Sequence, residues 1–155
     1  MRPGDVRIVP LEARHIEEIE LQQSQRYIAQ AFRDPPSFVA AILQTGPAYA
    51  ALDRQGRAIA AGGIMEQWPG RKIAWAVFAH NAGPCMTGIT RACRLFLAGE
   101  TGRVEAWTST LFPRAHKFAR QLGFKLEHPC LRGAFPGGGD AALWSRLRRA
   151  PPGMA

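Results

Sequence analysis

Cysteine is scarce in this chain: Cys85, Cys93 and Cys130 are the only three in 155 residues. An odd, widely spaced set excludes a disulfide framework and has no metal-ligand spacing, so no metal is expected. No apolar run reaches the ~18 residues of a membrane helix, so no membrane span is expected. The opening Met1-Arg-Pro-Gly-Asp5 lacks the apolar core of a signal peptide, which makes the cytoplasm the expected location. Acidic residues are also few, 12 against 20 Lys and Arg, for a net charge of +8. That imbalance favours phosphorylated cofactors, nucleic acid or an acidic protein surface as partners. The basic residues do not interleave with aromatics on one element, which makes nucleic acid an unlikely partner. Internal repeats and low-complexity segments are absent.

What the chain does have is apolar residues, 46% of it, enough for a packed core. A chain of this length buries roughly two thirds of its unfolded surface in one domain. Residues 1–147 are expected to form that domain, and 148–155 a basic Pro/Gly tail. The organising stretch runs from Arg71 to Phe124. Lys72–Ala79 is β-rich, His80-Asn-Ala-Gly-Pro84 is turn chemistry, and Met86–Ala98 places Ile89, Cys93, Phe96 and Leu97 on one helical face. Val104–Thr108 reads as another strand, and Phe112–Leu122 as a helix closed by Gly123. A βαβα order implies parallel strands with a right-handed crossover. The helix start after the Gly-containing turn leaves backbone N–H groups free for an anion such as a pyrophosphate.

Before this stretch, Arg7–Leu11 reads as a strand and Glu12 to about Phe32 as one helical stretch. Asp34-Pro-Pro-Ser37 breaks it, with Ser37 able to cap a short helix over Phe38–Leu43. Ala48–Leu52, the turn Asp53-Arg-Gln-Gly56, Arg57–Glu66, the turn Trp68-Pro-Gly70 and Lys72–Ala79 then predict an antiparallel meander. After Gly123, Lys125–Ala134 and Ala141–Leu147 predict a last hairpin around the loop Phe135–Asp140. The sum is an α+β domain: a mixed central sheet with helices on both faces.

This layout resembles the GNAT acyltransferase superfamily. The resemblance is carried by the Gln67-Trp-Pro-Gly70 turn, the strand-turn-helix at 72–98, Ala115-His-Lys-Phe-Ala-Arg-Gln-Leu-Gly-Phe124, and a last strand ending Leu143-Trp-Ser-Arg146. A narrower similarity, to the GNAT-like proteins of short-tailed phages, rests on the opening residues, Gly62-Gly63 and Trp107. The resemblance implies the acyl-CoA N-acyltransferase fold, acetyl-CoA as co-substrate, and a small-molecule or peptide amine as acceptor. It implies that acyl-CoA lies in a split between the fourth and fifth strands. The pantetheine would run along Trp75–Phe78, and the pyrophosphate would sit on the loop His80–Gly88. The implied cofactor-binding residues are Val77, Phe78, Asn81, Gly83, Met86, Thr87, Gly88, Arg91 and Thr108.

Two departures from the family pattern stand out. Pro84 removes one N–H donor from the loop, with Thr87 and Arg91 placed to substitute in part. The family's tyrosine acid aligns with Ala119, and its asparagine with Phe112. The polar groups left near the split are His80, Thr108, Ser109, Thr110 and His116. Acyl transfer to an amine needs a base, and the candidates are Glu66, at the end of the third strand, and His80, at the mouth of the split. The backbone N–H near Val77 or Phe78 is the expected oxyanion donor. Bland alternatives stand beside these: Glu66 as a solvated hairpin residue, His80 as a loop residue, His116 as packing, and Trp75 and Trp107 as core. Cys93 reads as a core residue, and Cys85 sits near a helix start, where a thiol pKa can fall. Two functions remain open, a GNAT-type enzyme and a non-catalytic GNAT-fold protein associated with a phage or virion.

Overall fold

The computed structural model describes residue 2 and residues 4–149. Most of the basic tail expected at 148–155 lies outside the described residues. Seven strands form one sheet in the order β1-β2-β3-β4-β5-β7-β6. They are β1 (Arg7–Pro10), β2 (Ala48–Leu52), β3 (Ala58–Trp68), β4 (Arg71–Phe78), β5 (Gly102–Ser109), β6 (Lys125–Leu131) and β7 (Ala141–Arg148). The helices are α1 (Ala13–Glu18), α2 (Pro35–Thr45), α3 (Met86–Ala98) and α4 (Pro113–Gln121). The chain divides into two compact units, Met1–Met65 with Trp75–Ala92, and Glu66–Ala74 with Cys93–Ala155.

In the first unit, β1 and β2 pair antiparallel from Arg7↔Leu52 to Pro10↔Tyr49, and β2 pairs antiparallel with β3 through a bulge at Ala51/Leu52. The β2–β3 turn forms because the Asp53 carboxylate accepts from the backbone of Gln55 and Arg57, while Gly56 takes φ 79°. Small residues make this sheet thin: Ala50, Ala51, Ala60 and Ala61 are buried, with Leu52, Ile59 and Ile64 beside them. Ile16 and Ile19 of the α1 region and Val39 of α2 supply further buried bulk.

The helical stretch expected over Glu12–Phe32 is corrected here. α1 ends at Glu18, and Ile19 is already extended at ψ 108°. Leu21 forms an antiparallel bridge with Ala79, so this segment satisfies its backbone on a strand rather than in a helix. Two 3-10 turns follow, Gln23–Ile28 and Ala31–Arg33. The cap of α2 is also corrected. The helix expected over Phe38–Leu43 starts earlier, with Pro35 in its first turn, where the missing N–H costs nothing, and Asp34 rather than Ser37 is the cap, accepting from the Ser37 N–H. α3 spans the expected residues, with Ile89 and Leu97 buried.

In the second unit, β4 and β5 are parallel, as the crossover requires, and their register runs only from Arg71↔Arg103 to Ile73↔Glu105. β5 pairs antiparallel with β7 along its whole length, Gly102↔Arg148 to Ser109↔Ala141. The last hairpin folds back so that β7, not β6, lies beside β5. Glu105, 2% exposed, sits at the end of the short β4–β5 ladder. Arg71 grips it with two bonds, of 2.5 and 3.0 Å, and Arg103 adds one at 3.0 Å. The Arg71 guanidinium, with Arg103 behind it, holds the Glu105 carboxyl below the usual carboxylate range despite its burial. The core tryptophan of this unit is Trp144, 1% exposed; Trp107, expected in the core, is 36% exposed. The two-residue alternation puts Trp107 on the opposite face of its strand from the buried Val104, but does not by itself reveal which side chains are covered.

Candidate functional site

The residues singled out between Val77 and Arg91 lie together in the first unit, on the end of β4, the loop after it, and the front of α3. The loop is tightly wound. Ala82 N–H donates to Ala79 O, Cys85 N–H to Ala82 O, and Met86 N–H to Gly83 O. With Pro84 carrying no N–H, much of the donor capacity expected here is spent inside the loop. Gly83 is open: a Cβ built on it would meet nothing within 4 Å. Gly88 is the reverse. A Cβ there would lie 2.5 Å from the Gly4 carbonyl oxygen, so glycine is required for the N-terminal segment to pass over α3. Asn81 and Thr87 are exposed and Met86 is half-buried. Arg91 is exposed and pairs loosely with Asp5 at 3.9 Å.

The end of β4 carries the most informative geometry. Ala79 N–H donates to Ile59 O of β3, which fixes the odd-numbered backbone groups toward β3. The even-numbered groups, Ala76, Phe78 and His80, therefore face the opposite edge. That edge is occupied by the chain's own residues 20–25. His80 N–H donates to Glu20 O at 2.8 Å, and Gln22 N–H donates to Phe78 O at 3.0 Å. The Gln25 side chain completes the row, with Phe78 N–H donating to its Oε1 at 2.7 Å and its Nε2 donating to Ala76 O at 2.9 Å. The expected oxyanion donor, Phe78 N–H, is thus engaged by Gln25. Val77 is buried, and its backbone groups face β3 with the other odd-numbered ones.

His80 is exposed, and its Nδ1 lies 3.5 Å from Glu20 Oε2. Glu66 is exposed on β3, within the second unit. Trp75 packs edge-on to Phe38 with centroids 6.0 Å apart, and its Nε1 is buried with no partner among the described residues. Thr108, in the second unit, accepts a 2.8 Å bond from Trp144 Nε1, so its hydroxyl serves the core tryptophan. His116 Nε2 lies 3.0 Å from Ser109 O, and its ring meets Trp144 edge-on at 5.6 Å. The Cys85 thiol is pushed up by burial and then by the Asp53 charge, which corrects the expectation of a lowered value at a helix start. Burial raises Cys93 to about 11.

Gln25 is the residue that sequence reading missed. Its signal was weak, a glutamine in the polar run Gln22-Gln-Ser-Gln25, and that run sat inside what looked like a helix. Among the described residues, no group of His, Cys, Asp and Glu could hold a metal ion, and no helix is long and apolar enough to cross a membrane.

No protein-family model and no curated protein sequence matches the chain. Solved structures do match. A putative phosphinothricin N-acetyltransferase is similar over 94% of this chain and 100% of its own, at 15% identity and TM-score 0.71. A GNAT-superfamily phosphinothricin acetyltransferase from Sinorhizobium meliloti, solved with AcCoA, matches over 97% and 92% at 14% identity and TM-score 0.66. A spermidine/spermine N-acetyltransferase from Vibrio cholerae matches over 93% of each chain at 17% identity and TM-score 0.66. Identities this low establish the architecture, and the architecture is the GNAT fold: the mixed seven-stranded α+β sheet that the sequence layout predicts.

Proposed function

We propose that the chain is a GNAT-type N-acyltransferase that takes an acyl group, acetyl in the simplest case, from acyl-CoA to an amine acceptor. The observation that carries the reading is the fold itself, full-length likeness to acetyltransferases including one solved with AcCoA. Fold does not fix function. Two local features add support: the open Gly83 beside a helix front, and a β4–β5 ladder that stops after Ile73↔Glu105. Acetyl-CoA would meet Gly83, Asn81 and Thr87 on the loop and helix front. The β4 edge at Ala76, Phe78 and His80 does not fit a pantetheine arm in this conformation, because residues 20–25 fill its hydrogen bonds.

His80 and Glu66 remain the base candidates, both exposed and able to exchange protons with solvent. The acceptor is an amine of a small molecule or a peptide. The test is release of the CoA thiol when acetyl-CoA is mixed with a panel of primary amines and polyamines, repeated with His80→Ala and Glu66→Gln. A loss of at least tenfold in one variant identifies the base. Equal turnover in both removes these two residues from the mechanism.

A second reading, a non-catalytic GNAT-fold binding protein, is favoured by the occupied β4 edge, by Pro84 and by the alanine at 119. The phage or virion association suggested by the sequence resemblance belongs to this reading. Absence of thiol release with every amine, together with absence of acetyl-CoA binding, would select it.

A further inference from the structure

We infer that residues Glu20–Gln25 are a displaceable strap, latched by the Gln25 amide, which closes the free edge of β4 against an extended amide-bearing ligand. The inference rests on the acyl-CoA reading above and deepens it, since the pantetheine arm is such a ligand.

The strap imitates a ligand in its chemistry. A primary amide that donates to Ala76 O and accepts from Phe78 N–H satisfies one donor and one acceptor of a strand edge, as a secondary amide of an extended arm would. Because one end meets a carbonyl and the other an N–H, the orientation of the Gln25 amide is fixed by its partners. Backbone bonds at Gln22 and Glu20 continue the same row toward the end of the strand, at Phe78 O and His80 N–H. An arm lying along Ala76–His80 must break these four bonds first.

The strap is also built to come away. It continues into a six-residue 3-10 helix, longer than such helices usually run, and that helix has no buried residue. Residues 20–25 contain no fully buried side chain, and Leu21 is the one apolar residue among them, so lifting them exposes little apolar surface. An open groove of about 710 Å³ borders the segment, lined by Glu20, Leu21, Arg26 and Arg33 among others. The anchors on either side are firmer: Ile16 and Ile19 are buried before it, and Val39 after it.

Two variants test the latch. Gln25→Ala removes both side-chain bonds to β4, together with the 3.2 Å bond that Gln25 Oε1 accepts from Gln22 Nε2. Gln22→Pro removes the Gln22 N–H bond to Phe78 O and the 3.2 Å bond from Gln22 Nε2 to Gln25 Oε1, but keeps both Gln25 bonds to β4, and it leaves the backbone unstrained, because Gln22 already has φ −61° and Leu21 before it is extended. Amide hydrogen exchange of Phe78 and His80, followed by NMR, reads the strap without any ligand. Faster Phe78 exchange in Gln25→Ala is expected. Acetyl-CoA affinity, measured by calorimetry, is expected to rise about 5- to 30-fold in Gln25→Ala, the worth of two ordinary hydrogen bonds removed from the closed state. A smaller rise is expected in Gln22→Pro. In wild-type protein, bound acetyl-CoA should speed exchange at Gln22, since its N–H loses its partner. Equal affinity in all three proteins, with Gln22 exchange unchanged by acetyl-CoA, overturns the strap and leaves the acyltransferase reading standing. No binding in any of them overturns both.

Discussion

Glu105 offers a quantitative test of how the short β4–β5 ladder is held. It is 2% exposed and receives three bonds from Arg71 and Arg103, at the ladder's last pair. Glu105→Gln keeps the volume and one acceptor but removes the charge. Breaking a fully buried ion pair costs about 3–5 kcal/mol. The two arginines are 27% and 31% exposed, so water rehydrates them in part when their partner is lost. About half the buried figure, ~2 kcal/mol, is the appropriate scale. For a chain of this size that lowers Tm by about 4–8 °C. The assay is thermal melting monitored by circular dichroism at pH 7, repeated at lower pH. The folded Glu105 carboxyl titrates below its unfolded value. Its stabilisation is therefore complete above the unfolded pKa, about 4.3, and is lost as pH falls through the folded one. The gap between wild type and Glu105→Gln should be constant from pH 7 to about 5 and narrow below about pH 4. A shift under 1 °C at pH 7, or a gap that widens on acidification, would refute the reasoning.

Two further predictions concern local packing and thiol chemistry. Gly88→Ala places a Cβ 2.5 Å from the Gly4 carbonyl, so the N-terminal segment must shift. We expect a cost of about 1–3 kcal/mol in thermal melts and faster proteolysis near residue 5; an unchanged melt would contradict the close approach. Among the three thiols, Cys130 is exposed and Cys93 is raised to about 11 by burial. Mass spectrometry after alkylation at pH 8 should find Cys130 modified first and Cys93 only on unfolding, and early labelling of Cys93 would count against its placement.

Much of the fold was legible because its elements carry strong local signals. The period of α3, the turn chemistry at Asp53–Gly56 and the Leu122-Gly-Phe124 helix end all act within a few residues of chain. What escaped was set by distant partners. Nothing between Glu12 and Phe32 shows that Leu21 will pair with Ala79, because the apolar spacing at Ile16, Ile19 and Ile28 fits a helix as well. Likewise Trp107 and Trp144 are alike in sequence context, and only the facing of β5 and β7 decides which is buried. At the candidate site, the loop and helix front were found from glycine and proline positions. The role of Gln25 depends on hydrogen bonds across 51 and 53 residues of chain and had no local signature.

Calorimetric titration of acetyl-CoA into wild-type protein and into Gly83→Glu tests the acyl-CoA reading most directly. A Cβ at Gly83 meets open space, so the glutamate adds negative charge at the loop without disturbing packing. We predict one-to-one binding in the wild type that weakens at least tenfold in Gly83→Glu. No heat at millimolar acetyl-CoA in the wild type, or equal binding in both, would contradict the account.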